Sequence, residues 1–62
     1  MSLRFYTFYV DDDRYSVPTL LSAELGDDEA ALHYANEQAI SSPHYSAVEI
    51  WEADRSVGRV LV

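Results

Sequence analysis

The chain has 62 residues, eleven acidic and four basic side chains, a formal net charge of −7 and no cysteine. This length is one domain and no more, and a chain without cysteine holds neither disulfides nor thiolate metal sites. An acidic surface repels phosphates and anionic headgroups, so the composition predicts no nucleic-acid partner and no membrane footprint, while a basic protein partner is steered towards it.

The first residues lack the long apolar stretch and small-residue cleavage site of a signal peptide, and no apolar run approaches the ~18–20 residues of a membrane span. The expected location is the cytoplasm. A domain this small buries only about 60% of the surface its unfolded chain exposes, which makes self-association the expected source of extra stability.

Leu3 to Val10 is aromatic and β-branched with no breaker, which predicts a first strand. Both alternating sets, Phe5/Thr7/Tyr9 and Tyr6/Phe8/Val10, are apolar in large part, the mark of a central strand. Asp11-Asp12-Asp13-Arg14 reads as a hairpin turn. A second strand is expected from Tyr15 to about Leu21. Pro18 inside it cannot donate a ladder bond, so this strand belongs at a sheet edge or carries a bulge, and the proline guards that edge.

Gly26 breaks the pattern, Asp27 is a good N-cap, and Asp28 and Glu29 suit the positive end of a helix dipole. The helix is predicted to run to about Ile40, with Ala31, Leu32, Ala35, Ala39 and Ile40 as its apolar stripe, and Ser41-Ser42-Pro43 ends it. Ser46 to Trp51 alternates, with Val48 and Ile50 on one side and Ala47, Glu49 and Trp51 on the other. Glu52 to Arg55 is a turn, and Ser56 to Val62 a fourth strand.

The predicted fold class is α+β: a ββαββ chain whose four-stranded antiparallel sheet has the order 2-1-3-4, with one helix on one face.

The run of an aromatic first strand, Ala23-Glu24-Leu25, Asp27-Asp28-Glu29-Ala30-Ala31, Ala47-Val48-Glu49-Ile50-Trp51-Glu52 and Asp54-Arg55 resembles small proteobacterial proteins of domain-of-unknown-function families. That resemblance implies a bacterial origin and a fold, and it transfers no site residues. Tyr15-Ser16-Val17-Pro18-Thr19-Leu20 followed by an Ala-rich acidic helix is similar, over part of the chain, to HicB-type antitoxins. This second resemblance implies an inhibitor of a basic partner protein.

No residue pattern specifies catalysis, and the expectation is a protein that is not an enzyme and uses no cofactor. Asp11-Asp12-Asp13 has the oxygen chemistry of a divalent-cation site, but consecutive carboxylates of an extended chain diverge, and a solvated turn is the better reading. His33 and Glu37 share a helix face and His44 follows, in a spacing that matches no zinc motif. Ser41, Ser42 and Ser46 lie near His44 without a nucleophile elbow. A chain this short has little room for a ligand pocket of ~300 Å³.

The aromatic residues carry more information. There are five tyrosines, two phenylalanines and one tryptophan. One helix covers one face of the sheet, and if Val48 and Ile50 face it, Trp51 lies on the open face with Phe5 and Tyr9. These three residues are the predicted interface of a homodimer, because exposed aromatic patches mark contact surfaces.

Overall fold

A computed structural model describes residues 2–62. The predicted class and topology are present: β1 (Arg4–Asp12), β2 (Thr19–Leu25), α1 (Asp28–Ala39), β3 (Tyr45–Glu52) and β4 (Arg55–Leu61) form one antiparallel sheet in the order β2-β1-β3-β4 with the helix on one face. Tyr6, Phe8 and Val10 of β1 and Val48 and Ile50 of β3 are fully buried beneath Ala31, Ala35 and Ala39 of α1. Alanine at every fourth position brings the helix axis close to the sheet, and the sheet side supplies the bulk.

Four boundaries differ from expectation. β1 continues through Asp11 and Asp12, so the turn starts at Asp13. Asp12 is buried because Arg14 folds back on it, donating from Nε and Nη2 at 3.0 and 2.7 Å, while the Arg14 backbone N–H donates to the same carboxylate at 2.9 Å. That closure makes residues 13–18 a loop, and β2 starts at Thr19 instead of Tyr15 and extends through Ala23, Glu24 and Leu25. Pro18 therefore stands outside the paired strand, so it neither bulges β2 nor guards it.

β3 starts at Tyr45, which pairs with Asp12, and the register shift leaves Ser46 as a bulged residue. β4 starts at Arg55 opposite Glu52, so the last hairpin turns on Ala53 and Asp54 alone, with Ala53 in the left-handed region at φ 53°.

The apolar stripe of α1 is rotated from the predicted one. Asp27 caps the helix, accepting from the Ala30 N–H at 2.9 Å, and the helix ends at Ala39 with Ile40 as the C-cap, 79% exposed. Tyr34 takes the place expected of Ile40 by setting its ring 4.8 Å from that of Phe8. Leu32 sits at the other margin over Gly58, where a Cβ would lie 3.4 Å from Leu32 Cδ2. The helix thus lies mainly over β3 and β4 and covers β1 and β2 less. Among the described residues no helix is long and apolar enough to cross a membrane.

Candidate functional site: the open face of the sheet

Alternation along β1 sends Phe5, Thr7 and Tyr9 away from the helix, and register brings the rest of the face to them. Thr7 lies between Ser22 of β2 and Trp51 of β3, and Tyr9 lies between Leu20 and Glu49. Trp51 is therefore directly across from Thr7, with Phe5 and Tyr9 at the two diagonal positions, within reach of large side chains. Phe5 is 60% exposed, Tyr9 37% and Leu20 62%, whereas Trp51 is half-buried along the sheet. Leu61, opposite Ala47, adds a further exposed apolar side chain at the β4 margin.

Four polar side chains of this face are paired with one another. The Trp51 indole Nε1 donates to Glu49 Oε1 at 2.6 Å. Arg59 Nη2 reaches across β3 to Asp11 Oδ2 at 3.4 Å. Asp11 and Leu61 flank Ala47 in register, so this bridge spans Ala47, which is buried despite its place on the open side. The aromatic patch consequently presents rings without a free indole donor.

A second polar cluster ties the strand ends to the helix start. Arg4 grips Glu52 with two bonds of 2.6 Å, from Nε and Nη2. Arg55 grips Asp28 at 2.8 and 3.1 Å and also donates to Glu52, and the Tyr6 hydroxyl donates to Asp28 at 2.8 Å. Bonds from Arg4 and then Arg55 hold the Glu52 carboxyl down at about 2, and bonds from Arg55 and then Tyr6 hold that of Asp28 at about 2. The bonds from Arg14 do the same for Asp12, at about 2.

The other residues singled out by sequence do not converge. Asp11, Asp12 and Asp13 bond Arg59, Arg14 and the His44 ring respectively. His33 pairs with Glu37 at 2.9 Å on the exposed side of the helix. The hydroxyls of Ser41 and Ser46 donate to backbone carbonyls of Gln38 and Asp11, and that of Ser42 accepts from the His44 N–H. Among the described residues no three carboxylate or imidazole groups are grouped for a metal ion.

An open cleft of about 450 Å³ lies between the 13–18 loop and Tyr45, lined by Arg14, Tyr15, Val17 and Pro18 among others. It is a shallow surface feature open to solvent, formed where residues 13–18 run as a loop instead of pairing as a strand.

Sequence reasoning placed Phe5, Tyr9 and Trp51 on one face but missed Leu20, Leu61 and the role of Glu49. The i, i+2 spacing of Glu49 and Trp51 was a usable signal, since alternation puts both on one side. Leu20 required the β1–β2 register, which the misplaced start of β2 concealed. No family model, curated protein or solved structure matches this chain.

Proposed function

We propose that this chain is a non-enzymatic protein-interaction module that forms a homodimer through the open face of its sheet, with Phe5, Tyr9 and Trp51 at the contact. The observation that carries this reading is the exposed aromatic group around Trp51, whose indole N–H already has an intramolecular acceptor in Glu49. A covering surface need supply no acceptor for the indole; it supplies apolar contact to the rings and a partner for the Tyr9 hydroxyl, which a second copy of the same face offers by symmetry. Aromatic side chains of this kind are enriched among residues that dominate association energies. Light scattering at micromolar concentration is expected to give about twice the chain mass of 7.0 kDa. A monomer across that range overturns the reading.

A second reading, an antitoxin-like inhibitor of a basic protein in a bacterial cytoplasm, is favoured by the charge arrangement. Each of the four arginines is ion-paired with a carboxylate, which leaves the uncompensated charge negative. Such a surface accelerates encounter with a cationic partner. An adjacent gene for a small basic protein, and a salt-sensitive complex between the two products, would favour this reading over self-association.

A further inference from the structure

The two edges of the sheet are not alike. β4 is blunted in two ways. Its register against β3 jumps from Ile50↔Gly58 to Trp51↔Ser56, which leaves Val57 as an extra bulged residue, and arginines stand at positions 55 and 59. Bulges and charged side chains are the usual protection of an edge strand against pairing with another chain. β2 has neither. Its seven residues, Thr19–Leu25, pair with β1 in unbroken register, they include no proline and no basic residue, and Pro18 stops one position short. The helix also leaves this side of the sheet thinly covered, so Leu21, Ala23 and Leu25 are only half-buried although they point to the core side.

We infer that the free edge of β2 pairs antiparallel with β2 of a second copy, centred on Ser22. In this register Ser22 meets Ser22, Leu21 meets Ala23, Leu20 meets Glu24 and Thr19 meets Leu25, so all seven residues are used. The only charge on the strand, Glu24, faces a leucine and not its own equivalent, which removes the like-charge clash that an acidic chain otherwise meets on self-association. Leu21 and Ala23 of both copies fall together on the helix side and extend the apolar layer that one helix leaves incomplete. The small Ser22 at the two-fold axis lets the strands approach to ladder distance. This contact goes beyond the open-face dimer. It uses the sheet edge and not the sheet face, so a chain that makes both assembles beyond the dimer at concentrations above those at which the face alone pairs, and the two contacts can be tested separately.

Because the chain has no cysteine, single-cysteine variants report proximity without background. Opposed residues of an antiparallel pair have Cα atoms about 4.5–5.5 Å apart, inside the about 4.4–6.8 Å range of a disulfide. Ser22 and Ser56 occupy the two ends of one cross-strand row, Ser22–Thr7–Trp51–Ser56, one on each edge. With oxidised glutathione as oxidant, the Ser22→Cys chain is expected to form a covalent dimer at least about tenfold faster than the Ser56→Cys chain, because only the former is held at disulfide distance. A mixture of Leu20→Cys and Glu24→Cys chains should crosslink to each other faster than either does to itself. The Ser22→Cys crosslink should persist when Trp51→Ala is added, since that change removes the face contact and leaves the edge. Equal rates for Ser22→Cys and Ser56→Cys overturn the edge pairing. Homotypic crosslinking of Leu20→Cys that matches the mixture does so too. Loss of the Ser22→Cys crosslink on adding Trp51→Ala overturns it as well, because the proximity then belongs to the face dimer.

Discussion

Trp51 and Glu49 are two residues apart on β3, and the indole N–H of the first donates to the carboxylate of the second at 2.6 Å on the open side of the sheet. That bond turns the tryptophan into an apolar plate lying between Phe5 and Tyr9. Ile50, between them in sequence, points the opposite way and is fully buried under the helix. Adjacent residues of one strand thus serve different layers, and substitutions at the two positions separate association from folding. Truncating an interface anchor costs roughly 2 kcal/mol or more of association, so Trp51→Ala is expected to weaken the proposed dimer at least ~30-fold and leave a folded chain. Ile50→Ala is expected to lower folding stability by about 2–5 kcal/mol in any oligomeric state. Sedimentation equilibrium beside circular dichroism reads both. Unfolding by Trp51→Ala with Ile50→Ala unchanged would invert the assignment of faces.

Acid should unfold the chain through three carboxyls. Asp12, Asp28 and Glu52 are each held at about 2, below ordinary values of 3.8 for aspartate and 4.5 for glutamate, by hydrogen bonds from Arg14, Arg55 and Arg4 respectively. Between those ordinary values and about 2 the unfolded chain binds more protons than the folded one, so their stabilisation is present at neutral pH and lost as pH falls through this window. The urea midpoint should be flat from pH 7 to about 5 and decline steeply below about 4.5. Glu52→Gln should lower the neutral-pH midpoint and make the acid decline shallower. An unchanged slope for that variant would mean that the Arg4–Glu52 pair adds nothing measurable.

Ala53 carries φ 53° in the two-residue turn between β3 and β4. A side chain in the left-handed region costs about 1–2 kcal/mol, and glycine avoids this at a loss of about 0.5–1 kcal/mol in chain entropy. Ala53→Gly is therefore expected to stabilise the fold by about 0.5–1 kcal/mol, raising the thermal midpoint by a few degrees. Ala53→Val, β-branched, should lower it. Differential scanning calorimetry of the two variants checks the turn, and a drop on Ala53→Gly contradicts it.

Nucleic acid should not bind at physiological salt. Every arginine is engaged by a carboxylate, and releasing one to a phosphate exposes an acidic neighbour to the same phosphate. Fluorescence anisotropy with mixed-sequence DNA and RNA is expected to show no binding, and an affinity at or below ~1 µM would contradict this charge pairing.

Much of this architecture is legible along the chain. The 2-1-3-4 order is the simplest for a short right-handed crossover from β2 through α1 to β3 and agrees with β1 being apolar on both sides, and Asp27 announced the helix start because an exposed N-terminus needs a short acceptor side chain. Alternation put Phe5 with Tyr9 on one side of β1 and Trp51 opposite Val48 and Ile50 on β3, because a strand repeats every two residues whatever packs on it; the Thr7–Trp51 register joined the two sets on one face. What the chain by itself did not determine depends on contacts between distant positions. The start of β2 was decided by Arg14 closing on Asp12, which takes residues 13–18 out of the sheet and frees the edge from Pro18. The buried stripe of α1 was decided by how the helix settles over β3 and β4, which swaps Ile40 for Tyr34 against Phe8. Leu20 joined the open face only through its register with Tyr9. Periodicity and capping are properties of neighbouring residues, so they can be read along the chain. Register, and the burial that follows from it, are set by side chains far apart in sequence and exist only once the sheet has formed.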